Sequence, residues 1–200
     1  SVNELEPRIQ TLIAVKAGSK FDPEETTGLA HYLEHMMFKG THNMGTKDWS
    51  SEKDILDQIA ATFEQHKEEK NPKQKVALYA KIDSLSLEAS KFAIANEYDK
   101  MVSSLGAKGT NAYTSNDETV YMNDTPSNEI EKWLKLEGER FQTLVLRLFH
   151  TELETVYEEF NRSQDSDNRW VYQGVLEGLL PNHPYGTQTT IGVGEHLKNP

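Results

Sequence analysis

Two histidines and a glutamate lie within five consecutive positions and could together hold and use a metal ion. His31, Glu34 and His35 form the pattern H-x-x-E-H. Residues four apart lie on one face of a helix, so the two imidazoles can point at the same ion. Glu34 lies on an adjacent part of that face and can reach a water at the metal without binding the metal itself. The pattern reverses the H-E-x-x-H order of many zinc hydrolases and predicts hydrolytic zinc chemistry.

A third protein ligand must come from elsewhere in the chain, because a catalytic zinc ion takes three protein ligands and keeps one position for water. Glu152 and Glu159 are candidates, since residues seven apart on a helix share a face. Glu158 is the rival ligand, rotated by about 100° from Glu159. The residues alone leave this choice open.

Composition excludes several other kinds of chemistry. The 200 residues contain no cysteine, so disulfides, thiol catalysis and thiolate metal ligands are excluded. The net charge of -11 argues against nucleic acid as a partner, because phosphates would be repelled. No apolar run approaches the ~20 residues that a membrane helix needs. The acidic first residues, 1–7, lack the apolar core of a signal peptide, so we expect that any targeting segment was removed or never existed.

Periodicity predicts a mixture of strands and helices without regular alternation, hence an α+β fold with a mixed or antiparallel sheet and helices packed on one side. Strands are predicted at residues 9–17, 110–114 and 118–123, and the last two are expected to form a hairpin joined around residues 115–117. Helices are predicted from Thr26 or Thr27 through Met37, across 51–105 with a break at 67–72, from Thr125 with Pro126 in its first position, from Thr151 with a capping box to Glu154, and at 168–180. We interpret Trp133, Trp170 and Tyr172 as packing residues and His42, His66, His150 and His196 as surface residues.

Several blocks of sequence resemble the pitrilysin/insulinase family of metallopeptidases, which includes the mitochondrial processing peptidases. The blocks are GLAHYLEHMMFKGT at 28–41, NAYTS at 111–115, ETVY at 118–121 and ELETVYEE at 152–159, and they occur in the family's order. The loop HPYG at 183–186 also matches a family loop. The joint signal is much more specific than the H-x-x-E-H pattern alone.

The resemblance implies a role for each matching residue. His31, His35 and Glu159 match the ligands of one zinc ion per chain, Glu34 matches the general base, and Glu152 matches a supporting glutamate of the catalytic site. It further implies that substrate backbone pairs with an edge strand at three positions, namely Asn111, Ala112 and Tyr113.

The separation between His35 and Glu159 is longer than is usual in the family. The excess falls at about 57–105, which we expect to be a helical hairpin inserted in a single, truncated N-terminal peptidase domain spanning 1–200. If the two ends of this hairpin lie close together, the insertion does not displace the site residues on either side of it.

The function implied by the resemblance is zinc-dependent endopeptidase activity on unfolded peptides. The alternative is a catalytically silent peptide-binding or scaffold subunit of a processing assembly. Expected partners are a peptide substrate, a homologous C-terminal half or partner subunit, and a second copy paired through open strands. We expect no nucleic acid partner and no membrane span. We expect a soluble protein of the cytoplasm or the periplasm, and the resemblance favours the periplasm. The isolated chain is expected to have weak peptidase activity or none.

Overall fold

The computed structural model describes residues 7–197 and contains a three-stranded sheet with helices packed on one face. The strands are β1 (Arg8–Val15), β2 (Lys108–Thr114) and β3 (Thr119–Pro126). Their order is β1-β3-β2, and both neighbouring pairs are antiparallel. The predicted strand near the start of the chain and the predicted hairpin around residues 115–117 are therefore confirmed, and the sheet is antiparallel rather than mixed.

The helices follow in the order of the chain and confirm the α+β class. They are α1 (Leu29–Met36), α2 (Trp49–Glu68), α3 (Pro72–Ser90), α4 (Glu97–Ser104), α5 (Ile130–Gln142), α6 (Phe149–Gln164), α7 (Asp167–Leu179) and the single-turn helices α8 (Pro184–Thr187) and α9 (Gly194–Leu197). Short 3-10 turns lie at Ser19–Phe21 and Ser127–Glu129.

One face of the sheet packs against helices and the other is open. Successive side chains of a strand point to opposite faces. On β3, Tyr121 is buried and lies in register with Ala112 of β2 and Ile13 of β1, and helices α1, α4 and α5 contact the sheet. Leu12 and Tyr113, one position away on their strands, are exposed. The packed face therefore places α1, which carries the H-x-x-E-H pattern, beside strand β2.

Helices α2 and α3 form a helical hairpin over residues 49–90, whereas the predicted span of about 57–105 also takes in α4; that this hairpin is an insertion stays a prediction. Asp48 caps α2 by accepting hydrogen bonds from the amides of Ser50 and Ser51. Asn71 caps α3 in the same way, with Pro72 at the first helical position, where its missing amide hydrogen costs nothing. The break near residues 67–72 is thus a tight turn between two long helices.

The helix predicted from Thr125 begins later, and that prediction is wrong. Thr125 and Pro126 are the last residues of β3, and Thr125 pairs with Ile9 of β1 and is fully buried. Helix α5 begins only at Ile130, after a 3-10 turn. Pairing with β1 keeps the chain extended, and this long-range contact outweighs the local preference of a Thr-Pro pair for a helix start.

The capping box predicted at Thr151 is also wrong. Helix α6 begins two residues earlier, at Phe149, and Leu148 before it adopts a left-handed conformation with φ 57°. The packing predicted for Trp170 and Tyr172 is wrong as well, because both side chains of α7 are more than half exposed.

Candidate metal centre

Helix α1 is anchored by an aspartate that precedes it by several residues. The Asp22 carboxylate accepts hydrogen bonds from the amides of Gly28 at 2.8 Å and Ala30 at 2.9 Å, and its negative charge is favourable at a helix N-terminus. Gly28 has φ +89°, and a Cβ there would lie 2.7 Å from a backbone oxygen. The predicted caps, Thr26 or Thr27, are wrong: the Thr27 hydroxyl lies 2.8 Å from His196 Nδ1.

Packing of α1 against α6 brings the histidines of α1 next to the glutamates of α6. Tyr32 and Met36 of α1 form a buried cluster with Leu153 and Val156 of α6 and with Leu197. Burial of these side chains removes apolar area from water, at roughly 25 cal/mol per Å². Their position on α6 turns the carboxylate side of that helix towards the imidazoles of α1.

Three side chains converge at the spacing that a zinc ion requires. Nε2 of His31 lies 3.3 Å from Nε2 of His35, and Oε2 of Glu159 lies 3.7 Å and 3.5 Å from these two nitrogens. Zinc binds nitrogen and oxygen at about 2.1 Å with tetrahedral geometry, so two of its ligand atoms stand about 3.4 Å apart. This donor set therefore fits zinc, and Glu158 is exposed on the same helix, outside the cluster.

Glu152 contacts the far side of the His35 ring. Its Oε1 lies 2.8 Å from Nδ1 of His35, and its Oε2 lies 2.5 Å from Nζ of Lys39. An ionised carboxylate only accepts hydrogen bonds, so Nδ1 carries the hydrogen in the neutral ring and the Nε2 lone pair faces Glu159. The Nδ1 atom of His31 is buried and has no hydrogen-bond partner within residues 7–197. Within the described residues, therefore, Nδ1 has a hydrogen-bond partner in the His35 ring and none in the His31 ring.

The pKa values in the cluster follow from burial and from neighbouring charges. Burial and the charge of His35 lower the pKa of His31 to about 4, even with Glu159 nearby, so His31 is neutral at pH 7, as a metal ligand must be. Burial also acts to lower the pKa of His35, but the hydrogen bond to Glu152 and the charges around the ring raise it. Burial acts to raise the pKa of Glu152, and its contacts with His35 and Lys39 lower it overall.

Glu34 lies beside the three converging side chains rather than among them. Its side chain is 9% exposed, and its Oε2 accepts a hydrogen bond of 2.5 Å from the Thr114 hydroxyl at the end of β2. Burial raises its pKa, although the hydrogen bond from Thr114 opposes the shift. A carboxylate whose pKa is raised towards neutrality is suited to take a proton and pass it on.

Strand β2 presents an unpaired edge next to this carboxylate. Among the described strands it pairs only with β3, so its other edge is free. Asn111 and Tyr113 are exposed and Ala112 is half-buried on this strand. The three predicted substrate-binding residues thus lie on an accessible edge that leads to Thr114 and Glu34.

Sequence reasoning missed Lys39 and Thr114 as contributors to the site. Lys39 follows His35 by four positions, the spacing of one helix face, and this signal could have indicated it. Thr114 offered no such signal, because its contact with Glu34 joins a strand to a helix.

The surface prediction holds for His42, which is exposed, and is wrong for His150, which is buried with Nε2 2.7 Å from Asp83.

Comparisons with known proteins match the chain to a peptidase family and to a zinc protease. The model of the insulinase family, peptidase family M16, matches residues 3–72. An uncharacterized zinc protease of Rickettsia felis is 21% identical over 189 residues, which cover 94% of this chain and 34% of the relative.

Solved structures show the same fold. A protease from Helicobacter pylori is 25% identical, with a TM-score of 0.67 over 96% of this chain and 35% of that one. The first half of the periplasmic protease PqqL from Escherichia coli is 20% identical, with a TM-score of 0.61 over 96% of this chain and 32% of that one. The chain therefore spans about a third of the length of these proteins.

The chain is an α+β domain with a His-His-Glu group that could hold a metal ion. The family match and these relatives show that the chain is similar to pitrilysin/insulinase-type peptidases, over residues 3–72 in the family model and over most of its length in the protease structures. Within residues 7–197, no helix combines the length and the apolar character needed to cross a membrane.

Proposed function

We propose that the chain is the zinc-binding and catalytic domain of an endopeptidase that cleaves unfolded peptides. The observation that carries this proposal is the convergence of His31 Nε2, His35 Nε2 and Glu159 Oε2 within 3.3–3.7 Å, with the Glu34 carboxylate buried beside them. His31, His35 and Glu159 would hold one zinc ion. Bound there, zinc would lower the pKa of a water and polarise the scissile carbonyl.

Glu34 acts as the general base in this proposal. Its burial raises its pKa, so the carboxylate takes the proton of the attacking water more readily than an exposed glutamate would. The hydrogen bond from Thr114 fixes one oxygen of the carboxylate and leaves the other to face the water. The same carboxyl group then passes the proton to the amine that leaves when the peptide bond breaks.

The substrate would lie extended along β2. An unpaired strand edge binds extended peptides through backbone hydrogen bonds, whatever their side chains. Residues 111–113 supply that edge, and Thr114 links its end to Glu34. A peptide seated on the strand therefore passes next to the general base.

The alternative is a catalytically silent, peptide-binding scaffold subunit. It accounts for the open strand edge but gives no reason for a buried carboxylate placed beside a zinc-like donor set. We therefore favour the peptidase. Because the chain spans about a third of its relatives' length, we also propose that a homologous second half, or a partner subunit, completes the substrate chamber.

The substitution Glu34→Gln tests the proposal, because it keeps the shape of the side chain and removes its basicity. We expect unchanged zinc content and loss of cleavage of an unstructured peptide, whereas Glu158→Gln, at an exposed position of α6, should alter neither. Full cleavage by the Glu34→Gln protein would overturn the role of Glu34. Absence of zinc binding in the unsubstituted protein would overturn the proposal as a whole.

A further inference from the structure

A lysine just beyond α1 contacts the carboxylate that holds His35. Lys39 lies three residues past the end of the helix, and its Nζ is 2.5 Å from Oε2 of Glu152. The Lys39 side chain is 23% exposed and that of Glu152 is 10% exposed, so the ion pair is largely shielded from water. Lys39 and His35 therefore each bind a different oxygen of one carboxylate.

The backbone of Lys39 is fixed by a buried arginine. Nη1 of Arg147 donates a 2.9 Å hydrogen bond to the Lys39 carbonyl, and Nη2 donates to the Thr41 carbonyl at 3.0 Å. The same guanidinium forms two hydrogen bonds with Glu52, and the side chains of this pair are at most 1% exposed. The lysine thus starts from a rigid point and reaches Glu152 without having to order a mobile segment.

Glu152 has other orientations available if nothing holds its second oxygen. It lies on the same face of α6 as Glu159, since the two are seven residues apart. A carboxylate held by a single hydrogen bond can rotate, or can turn towards a metal ion and compete with Glu159. Two partners on two oxygens remove that freedom.

We propose that Lys39 is a positioning residue for the zinc site. It holds Glu152 behind His35 and so keeps the Nε2 lone pair of His35 directed at the metal. This inference rests on the proposed function, in which His31, His35 and Glu159 bind zinc. The role of Lys39 is to orient a group behind a ligand, and it touches neither metal nor substrate.

Loss of the Lys39 charge and loss of its positioning role predict opposite changes in zinc affinity, and this difference allows a test. Removing a positive charge near a divalent cation should tighten zinc binding if only Coulomb repulsion mattered. Removing a group that orients a ligand should weaken it, because groups behind metal ligands typically contribute 10–100-fold in affinity. The direction of the change therefore separates positioning from simple charge.

The experiment measures zinc affinity by competition with a chromogenic chelator. The variants are Lys39→Met, Lys39→Arg, Glu152→Gln and the double variant Lys39→Met/Glu152→Gln. Lys53→Met is the matched control, because it removes another lysine–carboxylate pair, the exposed one with Asp57 at 2.6 Å on α2, a helix that carries no proposed zinc-site residue. Thermal unfolding of each metal-free protein reports any general loss of structure.

We expect Lys39→Met to bind zinc about tenfold more weakly, Lys39→Arg to recover most of the loss, and Lys53→Met to bind normally. In the Glu152→Gln background, Lys39→Met should cause no further loss, because the lysine acts through that carboxylate. Unchanged or tighter binding in Lys39→Met would overturn the inference, as would additive losses in the double variant. If the unsubstituted protein binds no zinc, the proposed function fails first, and this inference with it.

Discussion

Oε1 of Glu152 lies 2.8 Å from Nδ1 of His35, on the opposite side of the ring from the candidate zinc position. Seven residues, or about two turns, further along the same helix, Oε2 of Glu159 lies 3.5 Å from Nε2 of that ring. A single helix thus supplies both the carboxylate that orients the imidazole and the carboxylate that would share the metal with it. This arrangement makes the stability of the α1–α6 contact a condition for metal binding.

The first prediction is that one zinc ion binds per chain and that His35→Ala or Glu159→Ala abolishes stoichiometric binding. Either substitution removes one of three donors, and two protein ligands do not complete a catalytic site. Elemental analysis after chelation and readdition of zinc provides the measurement. Glu158→Ala is the control, since Glu158 is exposed and outside the cluster. Normal zinc content in Glu159→Ala would refute the ligand assignment.

The second prediction concerns the hydroxyl that fixes the general base. Thr114→Val keeps the side-chain shape but removes the 2.5 Å hydrogen bond to Glu34. A hydrogen bond to a charged group contributes about 1.5–3 kcal/mol, so we expect kcat to fall by about tenfold or more. Zinc content should stay the same, and Thr114→Ser, which retains the hydroxyl, should be nearly normal. Steady-state kinetics on the full-length protein decides the matter, and an unchanged kcat in Thr114→Val would contradict it.

The third prediction is that the α2–α3 hairpin can be shortened without loss of the site. Replacing residues 64–77 by a short turn should preserve zinc affinity and cooperative unfolding, because loop-closure entropy changes slowly with length. The larger segment at 57–105 should not be removable, since it contains α4, where Val102 is fully buried and the Tyr98 hydroxyl donates to Glu137 at 2.7 Å. Zinc titration and thermal unfolding of both deletions distinguish these outcomes. Loss of zinc affinity in the short deletion would show that the hairpin supports the site.

The fourth prediction concerns the buried Arg147–Glu52 pair. Arg147→Met leaves the Glu52 carboxylate buried without its partner and breaks the bonds to the Lys39 and Thr41 carbonyls. Losing one member of such a pair typically costs about 3–5 kcal/mol in the free energy of unfolding. Denaturant unfolding measures this, and the double variant Arg147→Met/Glu52→Leu should recover part of the loss. A change below about 1 kcal/mol in the single variant would argue against the pair as a structural anchor.

The fifth prediction is that the 200-residue chain alone binds zinc but cleaves peptides poorly. Its relatives are about three times as long, and groups that position the substrate and stabilise its oxyanion would come from the remainder. Losing oxyanion stabilisation typically reduces kcat by about 10²–10³-fold. The chain and the full-length protein are compared on one unstructured peptide at equal zinc occupancy. Comparable turnover would show that this domain is a complete enzyme.

Local sequence determined those parts of the site that lie within one element. His31 and His35 are four apart on a short helix, so their convergence follows from helical geometry. The Thr, Tyr and Val content of residues 110–114 and 118–123, with a turn between them, predicted the β2–β3 hairpin correctly. The pairing of Glu152 and Glu159 on one face followed from the same rule. These features depend on contacts over a few residues, which the sequence displays directly.

Tertiary structure decided what joins different elements. Glu159 rather than Glu158 turns towards the imidazoles because the apolar side of α6 packs on α1; residue spacing left that choice open, and only the family resemblance indicated Glu159. Thr125 stays in a strand because β1, more than a hundred residues away, pairs with it. The contact of Lys39 with Glu152 likewise joins residues more than a hundred positions apart in the sequence. A short pattern specifies the geometry of its own helix or strand, whereas the energy of contacts distant in sequence exists only once the chain has packed.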